Sequence, residues 1–144
     1  MTSHEIISLL PYSSPFLFVD SIEKVDDNSI TGIYTFKNDE YFYQGHFENF
    51  PVTPGVILTE TMAQIGVVCL GIYLSKEIIS DNNSLKIAMT STQVDFLHPV
   101  FPGEKVTVIS EKVYFRFGKL KCNVHMLNAK GAVVCKGLIS GMIK

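Results

Sequence analysis

Residues Gly45–Lys76 read GHFENFPVTPGVILTETMAQIGVVCLGIYLSK, a short loop with one histidine followed by a long, almost wholly apolar segment. Thr53 and Pro54 are typical of a helix N-cap and of the first helical position, respectively. After them only small glycines interrupt the apolar pattern, up to about Leu74. Because apolar side chains would surround the axis on every side, the segment predicts a buried helix that the rest of the chain must enclose.

Two polar side chains stand out in this helix. Glu60 lies about a turn and a half from its predicted start, and Gln64 lies one turn further along the same face. An ionised carboxylate is costly in apolar surroundings, so burial is expected to raise the pKa of Glu60. His46 lies on the preceding loop, and histidine ordinarily titrates near neutrality. The loop histidine and the helix carboxyl therefore predict an acid–base pair.

The composition describes a single folded domain, residues 1–144, that can bury one core. An apolar fraction of 47% and a charged fraction of 18% are typical of a globular protein. The net charge of −2 comes with no basic stripe, which argues against nucleic acid as the main partner. The three cysteines, Cys69, Cys122 and Cys135, lack the spacing of a metal site and are expected to be reduced core residues.

Neither the N-terminus nor the long apolar run predicts export or a membrane-spanning segment. The N-terminal residues carry no Lys or Arg before a very short apolar run, unlike a secretory signal. The run Gly55–Leu74 approaches membrane-spanning length, but Glu60, Gln64 and several threonines make it a poor lipid segment. We therefore expect no membrane partner and a cytoplasmic location.

The rest of the chain alternates strand-like runs with turn residues. A short helix is predicted over His4–Leu10 with Ser3 as its cap. Strands are predicted over Phe18–Val25, Ile30–Phe36, Leu85–Phe96, Lys105–Phe115, Leu120–Leu127 and Ala132–Met142. Breaks are predicted at residues 80–83, 117–119 and 128–131. The order of helix, two strands, long helix and four strands indicates an α+β fold with a mainly antiparallel sheet around the central helix. The open edge of such a sheet favours a second copy, so a homodimer is expected.

Three stretches carry a resemblance that covers nearly the whole chain. They are LLPYSSPFLFVDSI (Leu9–Ile22), YQGHFENFPVTPGVILTETMAQ (Tyr43–Gln64) and HPVFPGE (His98–Glu104). The chain resembles the FabZ-like 3-hydroxyacyl-[acyl-carrier-protein] dehydratases of fatty acid synthesis, which have the hotdog fold. Their Gly-His-Phe loop, Pro-Val-x-Pro-Gly-Val and Glu-x-x-x-Gln all occur here, with 14 residues from His46 to Glu60.

The resemblance implies a role for each matching residue. His46 would remove the α-proton of a 3-hydroxyacyl thioester, and Glu60 would protonate or orient the departing β-hydroxyl. Gln64 would hold Glu60, and the backbone N–H of Gly55 would polarise the thioester carbonyl. That last role also has a physical basis, because N–H groups at a helix start carry partial positive charge. His46 and Glu60 of one site would come from different protomers.

The resemblance also implies the partners. The substrate would be carried on the phosphopantetheine of acyl carrier protein, with no metal or redox cofactor. The assembly would be a homodimer or a trimer of dimers. An acidic carrier needs a basic docking patch, for which charge alone nominates Lys112, Arg116, Lys119, Lys121 and Lys136.

Three positions depart from the family pattern. They are Glu48-Asn49-Phe50, Thr53 and His98, where the family usually has Pro-Gly-Asn or similar, Met and Arg. None of them alters the catalytic pair, but Glu48 and Phe50 would reshape the substrate entrance. The departures fit a specialised relative that serves a polyene or other secondary pathway.

Simpler interpretations stay open from the residues alone. His46 would then only bond a backbone carbonyl, Glu60 would be a structural buried acid satisfied by Gln64, and Gly55 would only allow close packing. Other functions fit a hotdog fold. One is an acyl thioesterase, which generally lacks the Gly-His-Phe loop, and another is water addition to an enoyl-CoA, the reverse chemistry with another carrier. A third is a non-catalytic acyl-binding subunit, which the loss of His46 or Glu60 would have suggested, but both are present.

Overall fold

The computed structural model describes residues 1–79 and 85–143, and within them six strands form one antiparallel sheet around a long helix. The strands are β1 (Ser21–Val25), β2 (Ser29–Thr35), β3 (Ile87–Phe96), β4 (Lys105–Arg116), β5 (Lys119–Leu127) and β6 (Val133–Ile143). The predicted α+β hotdog fold is confirmed, because the sheet curls around one central helix. The predicted break at residues 80–83 lies outside the described residues.

The sheet has the strand order β1-β2-β4-β5-β6-β3, so β1 and β3 are its edges. β4, β5 and β6 form a meander, and on β5 the even-numbered residues from Leu120 to Met126 are buried against the helix. The predicted turn between β4 and β5 is confirmed. Phe117 and Gly118 have φ of 53° and 75°, and two successive positive φ angles are the mark of a tight hairpin turn.

The central helix runs from Gly55 to Leu74. It consists of α2 (Gly55–Ala63), a π-helical segment (Gln64–Cys69) and α3 (Leu70–Leu74). Gly66 lies in the π-helical segment, where an added Cβ would come within 3.0 Å of side-chain atoms of Ser110 and Val124. The helix therefore packs directly on β4 and β5, and the Ser110 hydroxyl donates to the Gly66 carbonyl oxygen at 2.8 Å.

The predicted start of the central helix is wrong by one residue. Pro54 is the N-cap and Gly55 is the first helical residue, and no side chain caps the end. Thr53 does not cap the helix because its hydroxyl is buried and lies 2.6 Å from the hydroxyl of Tyr43. The Thr53 hydroxyl oxygen, which the local pattern predicted as the helix cap, is thus hydrogen-bonded to Tyr43 instead.

Two other boundaries near the N-terminus also shift. The first helix, α1, covers Ser3–Ser8, and its cap is Thr2 in a capping box with Glu5, not Ser3. β1 begins at Ser21 instead of Phe18. Phe18 does not pair with the neighbouring strand because its backbone N–H donates to the side chain of Gln64.

The three cysteines are free and buried, as predicted. Burial raises the pKa of each thiol, to about 11 for Cys122 and about 12 for Cys135, and further for Cys69. The thiols therefore stay protonated and act as small apolar core groups.

Candidate active site

Glu60 and Gln64 are joined by the hydrogen bond that their helical spacing predicts. Gln64 is fully buried, and its Nε2 donates to Oε1 of Glu60 at 3.0 Å. The same amide donates to the carbonyl oxygen of Phe16 at 3.1 Å and accepts from the N–H of Phe18 at 2.8 Å. Gln64 therefore ties the N-terminal segment to the helix and holds the Glu60 carboxyl at the same time.

The two backbone partners fix which way round the Gln64 amide lies. The Phe16 carbonyl can only accept and the Phe18 N–H can only donate, so Nε2 and Oε1 cannot be exchanged. Oε1 of Glu60 is consequently an acceptor. When Glu60 is neutral, its proton belongs to the other oxygen, Oε2.

Glu60 also lines a small cavity of about 60 Å³. The other lining residues are Tyr12, Ala63, Val67, Val68, Ile87, Met89, Ile139, Ser140 and Gly141. Burial in these mostly apolar surroundings raises the pKa of Glu60, and the hydrogen bond from Gln64 offsets only part of this effect. The expected direction of the pKa shift is confirmed, and the carboxyl is a better proton donor near neutrality than an exposed glutamate.

His46 lies on a loop that is closed by two bonds to one residue. Its Nδ1 lies 2.8 Å from the carbonyl oxygen of Val52, and its own carbonyl oxygen accepts from the N–H of Val52 at 2.9 Å. The peptide bond between His46 and Phe47 is cis, and Asn49 has φ of 60°, a conformation that asparagine tolerates better than most residues.

The Val52 bond determines the tautomer of His46. A carbonyl oxygen only accepts, so Nδ1 carries the hydrogen and Nε2 keeps a lone pair. The backbone bond that a merely structural histidine would make is therefore present. It also leaves Nε2 able to accept a proton.

Gly55 opens the central helix at the surface. Its N–H and that of Val56 have no acceptor within the described part of the chain, as is usual in a first helical turn. An added Cβ at Gly55 would lie 3.2 Å from the ring of Phe96, so glycine permits this close packing. Gly55 lines an open cleft of about 430 Å³ together with Thr53, Leu58, Phe96, Leu97, His98 and Pro99.

Within residues 1–79 and 85–143 no hydrogen bond joins His46 to Glu60, and neither cavity described above is lined by both. Instead, large apolar side chains are exposed around the histidine loop, the helix start and the edge strand β3. They are Phe47 (55%), Phe50 (58%), Val56 (76%), Met89 (43%) and Phe96 (50%).

The five basic residues nominated for docking do not share one face. Lys112 lies opposite Cys122, whose buried side chain faces the helix, so Lys112 lies on the inner side of the sheet. The other four lie on the outer side of the sheet. Each of them either alternates along its strand with buried residues or is paired with a residue that alternates in this way. These four are Arg116, Lys119, Lys121 and Lys136.

Two further observations bear on the kind of site. Among the described residues there is no group of three or more His, Cys, Asp or Glu side chains arranged to hold a metal ion. Gly55–Leu74 is long and apolar enough to cross a membrane, with a mean hydropathy of 1.7, but 78% of its most apolar window is buried inside the fold. It is therefore the core helix of a folded domain.

Tyr12 is the site residue that sequence reasoning missed. It follows Pro11 in a segment without regular structure, and nothing in the local pattern places it beside residue 60. The segment reaches the cavity because Gln64 binds residues 16 and 18. A signal was available, since Tyr12 lies within Leu9–Ile22, one of the stretches that carry the family resemblance.

Comparison with known proteins identifies the family of the chain. The family model of the FabA-like domain matches residues 10–139. The chain is 38% identical over 143 residues to the 3-hydroxyacyl-[acyl-carrier-protein] dehydratase FabZ of Rhizobium rhizogenes, covering 96% of this chain and 85% of the relative.

Two solved structures share the fold at low sequence identity. The dehydratase heterocomplex ApeI:P from Xenorhabdus doucetiae matches with a TM-score of 0.81 and 14% identity, covering 100% of this chain and 92% of that one. A thioesterase from Haemophilus influenzae matches with a TM-score of 0.71 and 13% identity, covering 100% and 91%. At such identities the likeness concerns the fold alone.

Proposed function

Because the chain belongs to the FabA-like family, with the FabZ dehydratases among its relatives, we propose that it is a 3-hydroxyacyl-[acyl-carrier-protein] dehydratase, a hydro-lyase. It would convert a 3-hydroxyacyl thioester to the trans-2-enoyl thioester and water, in fatty acid or polyene-type chain synthesis. The observation that carries the proposal is the Glu60 carboxyl, held by Gln64 at the wall of a mostly apolar cavity.

Glu60 supplies the proton for the departing hydroxyl. Its raised pKa keeps more of it protonated near neutrality, and the fixed Gln64 amide leaves the proton on Oε2. When the C3–O bond breaks, that proton joins the leaving oxygen and forms water. Gln64 acts as a positioning residue because it touches Glu60 and not the substrate.

His46 supplies the base. With Nδ1–H bonded to the Val52 carbonyl, Nε2 accepts the proton from C2 of the substrate. The electron pair of the C2–H bond forms the C2=C3 double bond when the C3–O bond breaks. Before that it moves toward the thioester carbonyl, so negative charge develops on the thioester oxygen. The free N–H of Gly55 at the helix start is suited to bind that oxygen.

A homodimer would complete the site. In the described part of the chain β3 is an edge strand paired on one side only, and apolar side chains are exposed beside it and around the His46 loop. A second copy that pairs along this edge would cover them and bring the His46 loop of one protomer toward Glu60 of the other. Light scattering tests this directly, and a protein that stays monomeric at assay concentration would contradict the shared site.

The remaining features of the proposal concern partners and setting. Acyl carrier protein would deliver the substrate on its phosphopantetheine, and the four outward basic residues offer a docking surface for it. The chemistry above needs only side chains and backbone, so we propose no cofactor and no metal. We further propose that residues 1–144 act as one domain, in the cytoplasm, as dimers or trimers of dimers.

The decisive experiment is to incubate the purified protein with 3-hydroxyacyl thioesters on acyl carrier protein and follow the acyl group by mass spectrometry. Loss of 18 mass units, the mass of water, is expected, and it should disappear in His46→Ala. Release of free thiol without water loss would indicate the thioesterase that the shared fold also allows. No change with short, medium or polyene-type chains would indicate an acyl-binding subunit.

A further inference from the structure

The cavity beside Glu60 contains a second polar group that the proposed reaction has not yet used. Tyr12 lines this cavity with Glu60, and its side chain is only partly exposed. Burial and then the charge of Glu60 raise the pKa of Tyr12 to about 12. The phenol is therefore neutral at any physiological pH and can donate a hydrogen bond.

The Tyr12 hydroxyl is also available. Within the described residues it makes no hydrogen bond to the protein, although the Glu60 carboxyl is close enough to influence it electrostatically. Most of the remaining lining side chains are apolar. Ser140 also lines the cavity, but it lies opposite Lys121 on the outer side of the sheet, so its hydroxyl is on the face away from Glu60. Its neighbour Ile139 lies opposite Cys122, on the helix side.

The cavity can hold the group that leaves. Its volume of about 60 Å³ exceeds the ~10–15 Å³ that a single water molecule needs in a protein cavity. It is therefore large enough for a hydroxyl group or the water formed from it. Glu60 and Tyr12 face that space from the helix and from the N-terminal segment, respectively.

We propose that Tyr12 is a further catalytic residue, which donates a hydrogen bond to the 3-hydroxyl oxygen of the substrate while Glu60 protonates it. The inference rests on the proposed dehydration. Tyr12 keeps its proton throughout: the C2 proton goes to His46, the C3–O bond breaks, and the proton on Oε2 of Glu60 goes to the leaving oxygen. The phenol then binds the product water.

The test is a cycle that pairs the substrate hydroxyl with the tyrosine hydroxyl. Calorimetry would measure Kd for 3-hydroxyhexanoyl-pantetheine amide and for hexanoyl-pantetheine amide, which lack the thioester and do not turn over. In the wild-type protein the hydroxylated amide should bind more tightly, by about 3- to 10-fold for each of the hydrogen bonds from Glu60 and Tyr12. In Tyr12→Phe that preference should fall by about 3- to 10-fold, to the part that Glu60 supplies.

Turnover gives a second readout. Tyr12→Phe should lower kcat about 10-fold or more with little change in KM, and Tyr12→His, which restores a donor, should recover part of the loss. Tyr114→Phe is the matched control and should behave as the wild type, since Tyr114 lies on β4 beside Arg116, outside the cavity.

The outcomes separate this inference from the proposed function. If the Tyr12→Phe variant dehydrates the substrate as fast as the wild type, or has the same preference for the hydroxylated amide as the wild type, the role of Tyr12 is overturned and the dehydratase assignment stands. A protein without dehydratase activity whose preference still falls in Tyr12→Phe keeps Tyr12 as a hydroxyl-binding residue and refutes the proposed function.

Discussion

The two halves of the proposed site differ in how firmly one chain holds them. Glu60 is part of the core: a fully buried amide binds its carboxyl, and the same amide binds two backbone groups of another segment. His46 lies on a surface loop, tied to Val52 and flanked by exposed phenylalanines. The proposed acid is therefore held by core contacts within one chain, whereas the surroundings of the proposed base are exposed in one chain.

The largest effects are expected when the side chains of His46 and Glu60 are replaced one at a time. His46→Ala and Glu60→Gln should each lower kcat by about 10²- to 10⁴-fold, the usual contribution of a positioned acid or base. The free energy of unfolding should barely change in His46→Ala, because the substitution removes only one side-chain hydrogen bond, from Nδ1 to the Val52 carbonyl. Kinetics on an acyl carrier protein substrate, with circular dichroism as the folding control, check both. Near-normal turnover in either variant would contradict its role.

Mixing the two inactive proteins tests where the halves come from. If each site takes His46 from one protomer and Glu60 from the other, a mixed dimer has one intact site. After full exchange, equal amounts should regain about a quarter of wild-type activity, because half of the dimers are mixed and half of their sites work. Native mass spectrometry verifies the exchange. No recovery after proven exchange would place each site within one chain.

Substituting Gln64 tests how much the positioning of Glu60 contributes to stability and to turnover. Gln64→Leu leaves the buried N–H of Phe18 and the partly buried carbonyl of Phe16 without their side-chain partner, which should cost about 2 kcal/mol of unfolding free energy. It should also lower kcat about 10-fold, because Glu60 loses its positioning bond. Denaturant unfolding at fixed protein concentration measures the first effect.

Ser110→Ala is the matched control for Gln64→Leu. It removes one buried hydrogen bond to the same helix, at Gly66, without touching Glu60. A loss of about 1 kcal/mol with unchanged kcat is expected. Equal losses of activity in both variants would mean that Gln64 acts only through general stability.

Sequence reasoning succeeded where the deciding contacts are local. The Glu60–Gln64 bond follows from helical spacing, and the strands follow from alternation, as on β5. It failed where a distant group intervened. Thr53 has the chemistry of a cap, but the Tyr43 hydroxyl binds it, and Phe18 has the pattern of a strand, but Gln64 binds its N–H.

The same limit applies to the site itself. His46 and Glu60 could be named from residue type, spacing and resemblance to a family. Tyr12 could not be placed, because its position depends on how residues 16 and 18 bind a helix 46 to 48 residues away. The π-helical segment likewise has no local signal, since it is set by packing against β4 and β5.

The smallest expected effect concerns the pH dependence of stability. Burial raises the pKa of Glu60 above its ordinary 4.5, so the folded state keeps this proton at a pH where the unfolded chain has lost it. Stability from this group is complete below the unfolded pKa and is lost as pH rises through the folded pKa. Glu60→Gln abolishes that dependence.

Glu60→Gln should therefore gain stability over the wild type as pH rises from about 4, and the difference should level off above the folded pKa. Solvent screening at this partly exposed carboxyl limits the gain to about 1 kcal/mol or less. Denaturant unfolding between pH 4 and pH 8 measures it. Glu48→Gln, which removes the same charge from the exposed His46 loop, is the matched control. A Glu60→Gln difference that is flat across the range would mean that one chain does not hold this carboxyl in the environment that makes it an acid.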